Sequence, residues 1–326
     1  MHGAQVGAAP ACALYQWGSM ANYILRRSLF ILLSLLAATF FAFTASRLAP
    51  GDPVRLMAGD RNVSPEVIEA WRARYGLDQP IPVQYVYYIA NLLQGDLGTS
   101  YQYVGTPVLD LIAPAALITF RWEIVALVAA IALAVLLGVI AAVFHNTLID
   151  NGAMFVALIG ISLPDFVLAT FLIIIFALRL NWLPVAGYET AAHFVLPAIT
   201  LAVRPCAVLS RMVRASMLDV INQDYIRTAR SKGLRERVVI GRHALNNALL
   251  PILTVIGVQI GRILAGSFIV ETIFNIPGIG RIGVTAVLQR DYPVILATTI
   301  VLAAAFLLTT FIIDLLYAFI DPRIRL

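Results

Sequence analysis

Charge is what this sequence has least of. Only 13% of its 326 residues are Asp, Glu, Lys or Arg, against about 25% in an ordinary soluble domain. With 60% hydrophobic residues and a mean hydropathy of +0.87, the chain lacks the polar surface to face water on all sides. Lysine is almost missing: Lys232 is the single one. Cysteine is scarce, and the wide separation of Cys12 and Cys206 fits no disulfide framework, redox pair or metal spacing. The four histidines, His2, His145, His193 and His243, fall in separate segments. HExxH, GxSxG and the P-loop lysine motif are absent, so the usual metallohydrolase, serine-hydrolase and nucleotide-site signatures are missing. The chain reads as a non-enzyme with no metal, cofactor or nucleotide site of its own. The alternating pattern of an outer-membrane barrel is absent as well.

What is present is length of apolar run. Stretches near twenty residues recur, enough to cross a hydrocarbon core at about 1.5 Å rise per residue. They predict an all-α polytopic membrane protein with six transmembrane helices. The first lies within residues 20–47: nineteen uncharged residues separate Arg27 from Arg47, and Arg26 and Arg27 place the N-terminus inside. Residues 1–19 contain no Lys or Arg and no basic n-region of a secretory signal; they read as a disordered tail or an extended start before Met20. Residues 48–121 change character, with turn chemistry in LAPGDP and GLDQP and a short capped helix predicted from Ser64-Pro65 to Tyr75. Some seventy residues is long for a connector, so this segment is expected to form a small extracytoplasmic subdomain. Residues 122–326 then make a five-helix core. Its spans are predicted at about 122–144, 153–178 (kinked at Pro164), 194–212, 248–270 and between Asp291 and Asp314, with Glu271 to Tyr292 as an outer loop.

The one long polar interruption is Asp224 to Pro251. Between Arg214 and Asn247 it holds seven basic groups against Asp219, Asp224 and Glu236, a local balance of 7 − 3 = +4 beside +5 for the whole chain. An isoelectric point near 9.4 would suggest nucleic acid in a soluble protein. Here the charge sits in one loop between spans, which membrane orientation explains without nucleic acid. The topology puts region 214–247 and both termini in the cytoplasm. Residues 219–231 are predicted as a helix with Tyr225 and Ala229 on one face, ended at Gly233 by a left-handed turn. A second helix then leads from about Arg235 into the fifth span. The bland alternative is a basic amphipathic segment lying on anionic lipid.

Inside the predicted spans stand Asp165, Arg204 and Arg262. Each costs about 2.5–3.5 kcal/mol at a helix centre, so such groups face a bundle interior or wet cavity. They are the candidates for the translocation pathway. An Asp–Arg pair that merely locks two helices is the plainer alternative. Two arginines exceed the one acid, and an arginine fork suits a peptide carboxylate.

DYIRTARSKGL, RHALNNALLP, VETIFNIPGIGR and DLLYAFIDPRIR, with LAPGDPV and YGLDQPIPVQY near the first span, resemble the ABC-transporter permeases of the dipeptide/oligopeptide/nickel branch. Within that branch they are most similar to the first permease of the pair. The resemblance covers residues 20–326. In its cytoplasmic signature, Arg227, Thr228 and Ala229 stand where the family commonly has Glu-Ala-Ala, Gly233 holds the glycine, and Leu250-Pro251 closes it; the Glu and first Ala are missing here. The resemblance implies a type I importer fold and a second homologous permease. It also implies two ATPase subunits carrying ATP and magnesium, an extracytoplasmic substrate-binding protein, and the bacterial inner membrane. It implies that Asp224, Tyr225, Arg227, Thr228, Ala229, Lys232 and Gly233 dock on the ATPase. Short peptides are the implied substrate, with nickel, glutathione or another small solute as the alternative. A self-contained secondary transporter would need inverted repeats, usually ten or more spans and intramembrane acids for ion coupling; six predicted spans, no internal repeat and the single deep acid Asp165 count against it.

Overall fold

A computed structural model describes the backbone of residues 9–48, 54, 64–74 and 76–320; the side chains of 9–21, 74, 250, 254, 262–267 and 316–320 lie outside the described residues. In chain order the helices are α1 (Ala9–Leu48), α2 (Pro65–Arg74), α3 (Ile81–Leu93), α4 (Val108–Val143), α5 (Leu148–Ser162) and α6 (Asp165–Leu172). They continue as α7 (Val195–Ile221), α8 (Asp224–Ser231), α9 (Leu245–Ile273), α10 (Ile279–Gln289) and α11 (Tyr292–Ile320). The π-helical turn Ile173–Arg179 prolongs α6, and Glu236–Val238 with the π turn Val239–Ala244 leads into α9. Among the described residues the only β pairing is an isolated bridge between Thr99 and Pro107.

Among the described residues four stretches are long and apolar enough to span a membrane: Asn22–Leu48, Val108–Val143, Ala191–Ile221 and Tyr292–Leu315. Two bent pairs bring the number to six if each counts as one span. Glu236–Leu249 and Pro251–Gly261 meet at 52°, at the proline that removes a helix hydrogen bond. Leu148–Ser162 and Asp165–Arg179 meet at 108°. The kink predicted at Pro164 is thus a fold-back: Leu163 and Pro164 are both extended, with ψ of 126° and 144°. The second span also starts earlier than predicted, at Val108, because Asp110, Pro114 and Arg121 interrupt the apolar run without ending the helix. Residues 271–292 are not simply a loop, since α10 lies within them.

α7 is the axis of the bundle. It packs along α4 and against α9, α5 and α6, while α1 stands at the edge against α11 and α3. Small residues permit the tightest crossings, as in many membrane bundles. A Cβ on Gly138 of α4 would lie 2.5 Å from Val213 Cβ of α7, and one on Gly160 of α5 would lie 3.0 Å from Val203. Gly257 of α9 packs on Ile313 of α11 and Gly261 on Phe306, so these two helices run antiparallel. The C-terminal half of α11 therefore lies beside the start of α9, at the α8 end of the bundle. There Arg27 of α1 forms an ion pair with Asp314 of α11.

Candidate functional site

The polar island folds as two helices around a glycine turn, shifted from the predicted boundary. Asp219 belongs to α7, which runs on to Ile221; Asn222 and Gln223 break the chain, and α8 begins at Asp224. The predicted 219–233 helix is thus the end of one helix and the whole of another. Asp224 sits in the first turn of α8 and Arg230 in the last, each matched to the helix dipole. The end is a Schellman turn: Gly233 N–H donates to Arg230 O at 2.9 Å and Leu234 N–H to Ala229 O at 3.4 Å, with Gly233 at φ +75°. That left-handed conformation is why glycine stands there. Arg230 straddles the turn with Nη2 2.7 Å from Glu236 Oε1. Both side chains are exposed, so the pair adds little beyond fixing direction.

Ile226 and Ala229 bury the inner face of α8. They join one apolar cluster with Ala134 and Ala142 of α4, Leu209, Val213 and Met217 of α7, and Ala248 and Ile252 of α9. Tyr225 does not share that face. It is exposed, as are Asp224, Arg227, Thr228, Lys232 and Gly233. The buried pair is Ile226 and Ala229, three residues apart, and Tyr225, four residues before Ala229, stays exposed beside it. Locally, Thr228 Oγ1 donates to Asp224 O at 3.0 Å, and Arg227 lies 3.7 Å from Asp224. The island therefore presents an outward polar row on a helix seated by two apolar contacts.

The pathway candidates are spread over three helices. Asp165 opens α6 immediately after the Pro164 break. Arg204 lies in the middle of α7, half-buried, its Nε enclosed with no hydrogen-bond partner among the described residues. Arg262 lies in α9, and its side chain is outside the described residues. The spans hold a further buried polar residue without a sequence signal of charge. Gln259 of α9 is buried at 3% exposure, and its Oε1 likewise has no partner among the described residues. Both fall between two apolar clusters, the one under α8 and a second that joins Trp122 and Ala126 to Leu196, Leu201, Val270 and Phe274. A polar amide in an apolar run was the available signal.

Three further carboxylates escaped the sequence reading. Glu123 of α4 is buried. Asp150, read as part of a short turn, is fully buried and takes Arg214 of α7 in a two-pronged pair. Glu271, read as the start of a loop, is fully buried at the end of α9; it accepts from Thr119 Oγ1 and, at 2.9 Å, from Arg281 N–H. Thr119 Oγ1 in turn accepts from Ile279 N–H at 2.9 Å. Thr119 and Glu271 thus cap the first turn of α10 from outside it. Gly278 is glycine because a Cβ there would run into the Glu271 carboxylate, and Gly280 because one would lie 2.7 Å from Phe268 Cα.

The other signature segments have structural work. Asp291, 2% exposed, accepts from Ser100 Oγ and from Tyr101 N–H at 3.1 Å. Gln102 Nε2 adds a bond to Gln289 O at 2.8 Å. These bonds fasten the 95–107 loop to the start of α11. Tyr85 of α3 donates to Leu36 O of α1 at 3.0 Å and packs against Phe40 and Phe43, so α3 rests on α1.

This helical bundle, with a short external helix held by an apolar pair, is shared with known transport proteins. Residues 134–326 match the family described as "Binding-protein-dependent transport system inner membrane component", and residues 20–112 match its N-terminal companion, "Binding-prot-dependent transport system membrane comp, N-term". The chain belongs to this family of ABC-importer permeases. Among curated relatives, the "Glutathione transport system permease protein GsiC" of Pectobacterium atrosepticum is 42% identical over 306 residues, 94% of this chain and 99% of that one. The proteins of the same name from Shigella flexneri and Escherichia coli K12 match at the same identity and coverage. They fall in the dipeptide/oligopeptide/nickel branch. A solved structure, "Inward facing conformations of the MetNI methionine ABC transporter", aligns with a TM-score of 0.56 at 17% identity, covering 65% of this chain and 97% of that one. At that identity the likeness speaks for the fold alone, that of a type I permease.

Proposed function

We propose that this permease is the first of a pair, forming half of the translocation pathway of an ATP-driven importer for glutathione or closely related short peptides. Its partners are a second homologous permease, two cytoplasmic ATPases that carry ATP and magnesium, and an extracytoplasmic binding protein. Both termini and α8 face the cytoplasm of the inner-membrane cell, where the basic loop belongs. The observation that carries the coupling role is α8 itself. Ile226 and Ala229 seat it on α4, α7 and α9, while Tyr225, Arg227, Thr228 and Lys232 point outward, free to meet a partner. The Gly233 turn joins it directly to the lead-in of α9, so a push on α8 reaches two spanning helices. Such a bistable element is what nucleotide-driven switching requires.

Substrate contact is assigned to the polar layer of Arg204 and Gln259. Their unpartnered buried atoms suit a carboxylate and an amide N–H, both of which a tripeptide offers. The 42% identity to glutathione permeases over almost the whole chain favours glutathione within the peptide class. The test is reconstitution of the permease pair with its ATPases and binding protein in vesicles. Labelled glutathione should accumulate only with ATP and stop with vanadate. Uptake by this chain alone in ATP-free vesicles would overturn the reading.

A further inference from the structure

At the end of the bundle opposite α8 lies a half-open cavity of about 670 Å³ lined by α1, α2, α3, the 95–101 loop and the first turn of α11. This is well away from the Arg204–Gln259 layer, and its lining is divided by charge. Arg47, the last basic residue of α1, lies over the Phe43 ring with its guanidinium carbon 5.0 Å from the centroid. Among the described residues its buried Nε has no hydrogen-bond partner. The buried Gln84 Oε1 and Tyr88 hydroxyl likewise have none among the described residues. Burial, with a smaller contribution from neighbouring Tyr85, holds the Tyr88 hydroxyl well above the usual tyrosine value, so it remains a donor at any physiological pH. Two acids also line the cavity, Asp78 and Asp96, and both are exposed. Asp96 Oδ1 accepts from Gly98 N–H at 2.8 Å and Asp78 Oδ2 from Gln79 Nε2 at 3.5 Å; neither is ion-paired among the described residues.

Buried polar atoms ordinarily find partners. Here three residues that line one cavity, Arg47, Gln84 and Tyr88, each keep a buried polar atom without a partner among the described residues, and the cavity is within the size range of small-molecule sites. We propose that this cavity binds a zwitterion. Its anionic end sits against Arg47 and the Tyr88 hydroxyl, its N–H donors reach Gln84 Oε1, and its ammonium end lies toward Asp78 and Asp96. Two sources offer that chemistry: a free short peptide, and the headgroup of a zwitterionic lipid such as phosphatidylethanolamine. The site depends on the importer reading only for the first source.

The experiment uses the assembled importer in nanodiscs and has two arms. In the solute arm, glycylglycine is titrated calorimetrically into discs of phosphatidylglycerol without the binding protein, with N-acetyl-glycylglycine and glycylglycine amide as controls. In the lipid arm, discs of mixed phosphatidylethanolamine and phosphatidylglycerol are stripped, and retained lipid is counted by native mass spectrometry. Arg47→Gln should weaken the productive arm about tenfold or more, the scale of a lost charged hydrogen bond. Tyr88→Phe, which keeps the ring and its packing, should weaken it by a smaller factor. Binding of glycylglycine with rejection of both blocked derivatives assigns the solute; selective retention of phosphatidylethanolamine assigns the lipid. If neither arm responds, or both variants behave as the unaltered protein does, the cavity holds water only and the proposal is overturned. ATP hydrolysis stimulated by loaded binding protein, measured in the same discs, reports on the importer reading separately.

Discussion

Asp150 at the start of α5 is gripped by Arg214 near the end of α7, with Nε 2.5 Å from Oδ1 and Nη2 2.7 Å from Oδ2. Asn146 N–H adds a third bond at 3.0 Å, and His145 stands 3.3 Å from the same carboxylate. The pair ties the turn between α4 and α5 to the axial helix close to α8. Because Asp150 is wholly buried, removing its partner strands a charge. Arg214→Ala should lower stability by about 3 kcal/mol, the low end for breaking a buried pair. Arg214→Lys, which cannot form the fork, should fall between. Unfolding by denaturing detergent would show it, and an unchanged midpoint for Arg214→Ala would refute it.

Gly278 and Glu271 should prove energetically inseparable. Gly278→Ala pushes a methyl into the carboxylate and should cost about 1–3 kcal/mol, as overpacking does. In a Glu271→Ala background the same substitution should cost much less. A double-mutant cycle with a coupling below about 0.5 kcal/mol would mean the two do not touch.

Nothing lies within 4 Å of a Cβ placed on Gly233, so substitutions there act through the backbone alone. Holding a side chain left-handed costs about 1–2 kcal/mol. Asn should be tolerated best and Val worst. The readout is the ratio of solute moved to ATP hydrolysed in reconstituted vesicles. Gly233→Val should insert normally and lower that ratio; a ratio unchanged from that of the unaltered importer would reduce the island to an orientation signal.

Asp291→Ala should free the 95–107 loop. Hydrogen bonds to a charged acceptor are worth about 1.5–3 kcal/mol each, and Ser100 and Tyr101 both depend on this one. Amide exchange at Tyr101 and Tyr103 should accelerate by about tenfold or more, while α4 and α7 stay protected. Equal protection in both proteins would show the loop is held by its apolar contacts.

Arg204→Gln should raise the solute concentration for half-maximal transport by about tenfold, the scale of one charge-assisted bond, with the maximal rate less affected. Kinetics identical for every solute tried would remove Arg204 from the pathway.

Hydropathy made the spans legible, because a bilayer demands length and apolarity that no soluble helix needs. The helix–glycine–helix form of the island was also legible, since Gly233 and the charge around it act locally. What stayed hidden depends on partners far along the chain. Asp150 reads as a turn residue until α7 supplies Arg214 sixty-four positions later. Gly278 and Gly280 fall in a predicted loop, yet they are small because Glu271 lies against Gly278 and Phe268 against Gly280. Spacing puts Tyr225 and Ala229 on one face of α8 but does not say which residue is buried; the neighbouring helices select Ile226. The sharpness of the Pro164 break was likewise not in the pattern, because proline permits a bend without setting its angle.

At Gly138 the backbones of α4 and α7 come so close that Val213 fills the space a side chain would need. Sliding one helix along the other would lift Val213 out of that notch, so Gly138 locks the register of the pair. The two helices are packed along their length, and a displacement that reaches α7 is handed to α4 whole. One hydrogen atom in place of a methyl makes two helices move as one.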